Sequence, residues 1–314
     1  MGNKLRIWYA KVKNKRILLL GVTGHSGQYA IERLAQRRSE MENVTLRALV
    51  RPTSDSSFIE SFGLPIEIVR GDIQDDDCLR SALSGMDTLL NVFGIIQDPA
   101  RVTKMAVEAG VTRIISVHTT GIYSRYKYAS ADYIESDRKV TELCREHGVA
   151  LSILRPTMIY GGLDDQNVST FIRMMDRLPI MPVVAGARFP LQPVNRRDLG
   201  YAYADVLLAG EATENRDYTL SGAEPVLLRD MLTIIAEQLG KKAKFLSVPY
   251  WVSIAGAWML YVLSFTKVDF REKVQRMVEP RAYPHDAATA DFGYAPRGFA
   301  EGVHDEIAEY KKTR

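Results

Sequence analysis

The chain has 314 residues, 46% of them hydrophobic and 25% charged, with a formal net charge of +3. This is an ordinary globular balance, long enough for one large α/β domain or two smaller lobes with an ample core. The charge is too small, and too free of basic patches interleaved with aromatics, to argue for a nucleic-acid partner.

Residues 1–14 read as a basic leader before the fold, with an isolated Ile7-Trp8-Tyr9 cluster and no apolar core of signal-peptide length, so a cytoplasmic protein is expected. Ile17 to Leu20 is a continuous apolar run, the pattern of a strand buried on both faces of a parallel sheet. Gly21, Thr23, Gly24, His25, Ser26 and Gly27 follow as a glycine turn, and Tyr29, Ala30, Ile31, Leu34 and Ala35 then form a helical stripe. Strand, glycine turn and helix in that order predict a helix N-terminus at the carboxyl edge of a sheet. Unpaired backbone N–H groups and the helix dipole can receive a pyrophosphate there, and glycines leave room for it.

Val44 to Val50 predicts the second strand, ending at Arg51. A carboxylate at this place would accept a ribose 2′-hydroxyl, whereas a guanidinium pairs with a 2′-phosphate, so Arg51 points to NADP(H) before NAD(H). Ile66 to Val69 predicts a third strand, followed by Gly71-Asp72-Ile73, in which Asp72 could also cap the acidic helix start at Asp75 to Asp77. Thr88 to Val92, Pro99 to Ala109 and Arg113 to Val117 predict strand, helix and strand. Cys78 and Cys144 fall inside helical patterns and read as buried thiols. The five histidines show no ligand spacing, so no metal site is expected.

The spacing G-x-x-G-x-x-G, in its strand–turn–helix context, resembles the extended and atypical short-chain dehydrogenase/reductases, the NAD-dependent epimerase/dehydratase superfamily. The resemblance covers roughly residues 15 to 310 and implies an α/β fold: a doubly wound parallel Rossmann sheet over 15–161 and a smaller, mostly helical substrate lobe over 162–314, with segments returning to the sheet. It implies that Asp72 and Ile73 approach the adenine, and that Thr119, in His118-Thr119-Thr120-Gly121-Ile122-Tyr123, contacts the reacting oxygen. It also implies that the loop after Arg155-Pro156 touches the nicotinamide end, which brings in Pro156.

The same superfamily carries a Tyr-x-x-x-Lys pair on the next helix. Four residues after Tyr133 stands Asp137 instead of lysine. Aligning Glu142 with the family's glutamate puts Ile134 at the tyrosine position and Arg138 at the lysine position. In that register Tyr133 points away from the nicotinamide. Tyr133 and Tyr123 remain the candidate proton donors. Tyr126, Lys127 and Tyr128 lack the required spacing.

In the second half, Phe171 to Leu178 suggests a helix and Pro179 to Pro190 a loop. Asp198 is expected to cap a helix over Leu199 to Leu208, with Arg196 and Arg197 either meeting an anionic substrate or simply solvated. Phe245 to Thr266 runs uncharged. Its interrupting Pro249 and serines argue against a true span, and the family resemblance implies a pocket wall, so a pocket wall or protein interface is expected ahead of membrane-surface association. Two functions follow: an NAD(P)-dependent oxidoreductase or epimerase on a carbonyl- or sugar-type small molecule, or a non-catalytic NADP(H)-binding sensor or scaffold. No integral membrane span is expected, and the oligomeric state is open.

Overall fold

The computed structural model describes residues 12–93, 98–126, 131–263 and 271–313. The seven-stranded sheet is built from β1 (Arg16–Leu20), β2 (Thr45–Val50), β3 (Ile66–Arg70), β4 (Thr88–Asn91), β5 (Arg113–Val117), β6 (Ala150–Pro156) and, after a long excursion, a strand at Arg216–Leu220. All its neighbours pair in parallel. The order across the sheet is Arg216–Leu220, β6, β5, β4, β1, β2, β3. Chain direction across the sheet reverses between β1 and β4. The crevice beyond the carboxyl ends of these two strands is where doubly wound sheets bind ligands.

β1 shows why its apolar run is unbroken. Ile17 and Leu19 point into one core, with α1 (Gly27–Gln36), and Leu18 and Leu20 into the other, with α2 (Asp76–Leu83) and α3 (Pro99–Glu108). None of the four is more than 1% exposed, so each contributes about 1.5–3 kcal/mol of burial. α4 (Ala131–Glu146) completes the α2–α3 face.

The second half is interwoven with the first. After α5 (Val168–Arg177) and β7 (Met181–Val184), α6 (Arg196–Leu208) packs along α1, and β8 (Arg216–Leu220) extends the sheet beside β6. Arg33 of α1 and Arg37 at its C-terminal cap both bind Asp205 of α6. A separate third core joins α5, β7, α7 (Leu228–Gln238) and the C-terminal helix at Phe299–Lys312.

Several sequence expectations change here. The Pro179–Pro190 stretch contains β7, which pairs in parallel with β9 (Phe245–Val248); its partner lies some sixty residues on, beyond the reach of local pattern. The uncharged run over 245–266 is split by Pro249 into β9 and α8 (Tyr250–Leu263), because proline ends the ladder and suits a helix start. Residues 264–266 lie outside the described residues, as do Gly94, Lys127, Tyr128 and the Trp8–Tyr9 cluster. The cap of α6 is Asn195, whose side chain accepts from the Arg197 N–H; Asp198 instead accepts from the backbone and guanidinium of Arg297. Cys144 is buried, its thiol pushed up to about 11 by burial, but Cys78 is only half-buried. Beyond α8 lie α9 (Arg271–Met277), α10 (Asp286–Phe292) and α11 (Phe299–Lys312).

Candidate functional site

The glycine turn leaves β1 at Gly21, whose φ of +81° suits glycine alone. A Cβ on Gly27 would lie 2.2 Å from the Gly21 carbonyl oxygen and 2.7 Å from the Val22 Cα, so this glycine is required by the backbone itself. Gly24 differs. It is exposed, its φ is ordinary, and a Cβ there would meet only the Gly21 oxygen at 3.1 Å. Gly24 therefore clears space outside the turn, where the first N–H groups of α1 emerge. Thr23 and Ser26 are partly exposed around it, and the Ser26 side chain makes no cap bond to the helix. This cradle fits a pyrophosphate. The exposed His25 lies with Nδ1 2.8 Å from Asp164, which also binds Arg196.

Arg51 is exposed just past β2. In the register of β1 with β2, Leu20 faces Leu49, so Arg51 stands level with the start of the glycine turn. Its loop is held from below by Arg70, which donates to the Ser54 carbonyl and the Ser56 hydroxyl. Asp72 is exposed past β3, where it accepts the Gln74 N–H. The cap of α2 is Asp75, leaving Asp72 at the sheet edge beside the buried Ile73.

At the end of β5, Thr119 opens a short helical turn, accepting the Gly121 N–H at 3.0 Å, and lines a cavity of about 300 Å³. Thr120 donates to the carbonyl of the buried Pro156, which ties the β5 and β6 ends together. A Cβ on Gly121 would sit 3.2 Å from Thr119 Oγ1 and 3.8 Å from the Tyr133 ring. The Tyr133 ring thus stands near Gly121, next to the Thr119 turn, although it is not among the residues that line the cavity. This corrects the expected register in which Ile134 faces inward.

The correction follows along α4. One turn after Tyr133, Asp137 points inward. It accepts from Arg155 at 2.7 Å and bonds the His118 Nδ1 at 2.6 Å. Burial alone would raise its carboxyl, but the His118 ring and Arg155 hold it down at about 2. Arg155 in turn bridges to Asp217, and the buried His118 Nε2 has no partner among the described residues. Arg138 lies on the outward face, clamped between Glu135 and Glu142, so the charge expected at the ribose is engaged elsewhere. Tyr123 is turned toward Arg155 and stacks on Tyr283 at 5.4 Å, and it does not line the Thr119 cavity. Burial, with Asp217 and Asp137 nearby, raises its phenol.

The remaining cavity wall comes from a segment the sequence did not single out. Arg276 of α9, Arg281, Tyr283 and Gln192 line it together with Thr119. Glu279 is buried and accepts from the Ser124 hydroxyl and the Arg125 N–H, which fastens this segment to the β5 loop. Arg281 is held below its usual range by burial and by the charge of Arg276. The Nε atoms of both arginines are buried without a partner among the described residues. Such a pair favours an electron-rich ligand group. No periodicity or motif marks these residues in the sequence. By contrast Arg197 is taken up by Glu32 and Tyr201, and Arg196 by Asp164, so neither faces the cavity. No side chain of α8 lines it either, against the pocket-wall expectation.

Residues 13–269 match the NmrA-like family. The chain belongs to that family. Its fold is shared with solved reductases, dehydratases and epimerases, the fold that the sequence resemblance implied. An uncharacterized protein of Sinorhizobium fredii, y4nG, is 24% identical in a 265-residue alignment, with 74% of this NmrA-like chain and 65% of that protein covered. The chain thus spans just under two thirds of the length of this curated relative. Among solved structures, gox2253 superposes with a TM-score of 0.73 at 23% identity, covering 96% of this chain and 99% of the other. The triphenylmethane reductase of Citrobacter sp., solved with NADP(H), superposes with a TM-score of 0.67 at 20% identity, covering 92% and 98%. These likenesses are of fold.

Proposed function

We propose that this NmrA-like protein binds NADP(H), or NAD(H), across the glycine turn and uses it as an oxidoreductase or epimerase on a small carbonyl- or sugar-type molecule held in the Thr119 cavity. The observation that carries the reading is the contrast between Gly27, locked against backbone, and Gly24, open to the outside. The solved relative from Citrobacter, which carries NADP(H), supports it by fold. Arg51 reads the 2′-phosphate, Asp72 and Ile73 meet the adenine, and Pro156 borders the nicotinamide end. The dinucleotide supplies hydride chemistry. Thr119 donates to the reacting oxygen and Tyr133, next to the Thr119 turn, holds the exchangeable proton, while Arg276 and Arg281 take an anionic or electron-rich part of the substrate.

Asp137 favours a second reading. Where the superfamily has a lysine, the helix presents a carboxylate already engaged by His118 and Arg155, so the cation that would assist Tyr133 is missing from that position. The second reading is a sensor or scaffold that binds NADP(H) without turnover. Calorimetric titration with NADPH and NADH tests the shared part. Hydride exchange across sugar-nucleotide, steroid and quinone-like carbonyls separates the two: turnover that disappears in Tyr133→Phe establishes the enzyme, and NADPH binding with no turnover establishes the sensor. Absence of dinucleotide binding overturns both.

A further inference from the structure

We propose that α8 and the cationic strip beside it dock the protein on the surface of an anionic phospholipid bilayer. The proposal does not rest on the reading of the Thr119 cavity. Trp251, Trp258, Met259, Val262 and Leu263 are 71%, 51%, 62%, 63% and 68% exposed, and Ala257 alone in the helix is buried. At about 100° per residue these side chains, with Val252 and Leu260, fan over roughly 200° of the helix. A helix packed on one protein partner needs an apolar stripe only about half as wide and keeps a polar face. An apolar surface this broad, with no charged residue anywhere in α8, suits immersion in a continuous apolar medium. No helix of the described residues is long and apolar enough to cross a membrane. The 14 described residues of α8 reach about 21 Å, against the roughly 30 Å hydrocarbon core. The proposal lays the helix within the interface, where Trp and Tyr side chains are favoured.

The surroundings carry the matching charge. From Lys241 to Lys267 the sequence holds no acidic residue. Lys242 and Lys244 are exposed where the chain enters β9, and with Lys241 they border the exposed Leu178 next to Arg177. Ile180, just before β7, and Leu246 of β9, which lies between Lys244 and α8 in the chain, are 50% and 59% exposed and add apolar surface at the β7–β9 pair. On the far side of the helix, Arg271 lies over the Trp258 and Tyr261 rings, 4.3 and 3.8 Å from their centroids. Aromatic and aliphatic groups thus meet lipid while lysine and arginine heads reach the phosphate level. α9, which packs on α8, also carries Arg276 into the cavity wall, so docking would set the cavity beside the bilayer.

The test is co-sedimentation of the full chain with vesicles of phosphatidylcholine alone and of phosphatidylcholine mixed with phosphatidylglycerol. Binding to the mixed vesicles that weakens with salt is expected. The Trp251→Glu/Trp258→Glu variant should bind at least roughly tenfold more weakly. Lys242→Glu/Lys244→Glu should lose about tenfold or more on the mixed vesicles, with its melting temperature unchanged. Failure to bind the mixed vesicles overturns the proposal, as does binding indifferent to both variants. A dimer in sedimentation velocity that Trp251→Glu dissociates, with no vesicle binding, also overturns it and assigns the face to a second copy of this chain.

Discussion

Two glycines three residues apart in one turn have different jobs. At Gly27 any side chain collides with the Gly21 and Val22 backbone, so Gly27→Ala should lower stability by about 1–3 kcal/mol, read as a shift in the denaturant midpoint. Gly24→Val should cost less stability than Gly27→Ala and abolish dinucleotide binding, because its side chain fills the space in front of the helix N-terminus. If calorimetry shows full affinity in Gly24→Val, the proposed pyrophosphate site is wrong. Arg51 acts by charge alone. NADPH should bind tighter than NADH by roughly tenfold or more, the worth of a charge-assisted bond of about 1.5–3 kcal/mol, and Arg51→Ala should bring the two affinities together.

The α4 helix shows how one turn decides chemistry. Tyr133 and Asp137, four residues apart, share a face, so the residue that would assist the phenol in the superfamily is here part of a buried ionic network with His118, Arg155 and Asp217. That network is structural first. Asp137→Asn should cost about 1–3 kcal/mol, since the Arg155 charge, 3% exposed in its side chain, loses one of its two carboxylates and keeps Asp217. The depressed Asp137 carboxyl contributes stability that is fully present above its unfolded value near 3.8 and is lost as pH falls toward about 2. Acid unfolding of the Asn variant should therefore lack the part of the transition that lies below pH 4 in the parent chain.

The whole molecule is held together where its halves cross. α6 and β8, both from the second half, complete the core around α1 and β6. A Cβ on Gly200 would strike the Ser26 carbonyl at 2.3 Å, so α1 and α6 touch backbone to backbone just behind the glycine turn. At the other end α11 buries Glu306, whose carboxyl accepts the Gly161 N–H. Burial, with Asp165 close by, pushes it up to about 9. A raised carboxyl favours the fold fully below its unfolded value near 4.5, and the advantage is lost as pH rises toward 9. Glu306→Gln should match the parent at pH 4 and become increasingly more stable above it, by at most about 1.4 kcal/mol per pH unit. Melting temperatures of both proteins from pH 4 to 9 check the sign.

Local pattern alone was enough for β1 to β5 and for the glycine turn between β1 and α1, because a strand buried on both faces and a tight turn into a helix each impose their residues within a few positions of one another. The pairing of β7 with β9, the engagement of Asp198 by Arg297 and the inward facing of Asp137 were decided only by packing: each depends on a partner far along the chain or on a helix rotation of about 100° that shifting the alignment by one residue produces. Arg276 and Arg281 were invisible for the same reason. They stand in a segment with no periodicity of its own, and they line the cavity with Thr119 only because Glu279 is fastened to Ser124 on a loop more than a hundred and fifty residues earlier.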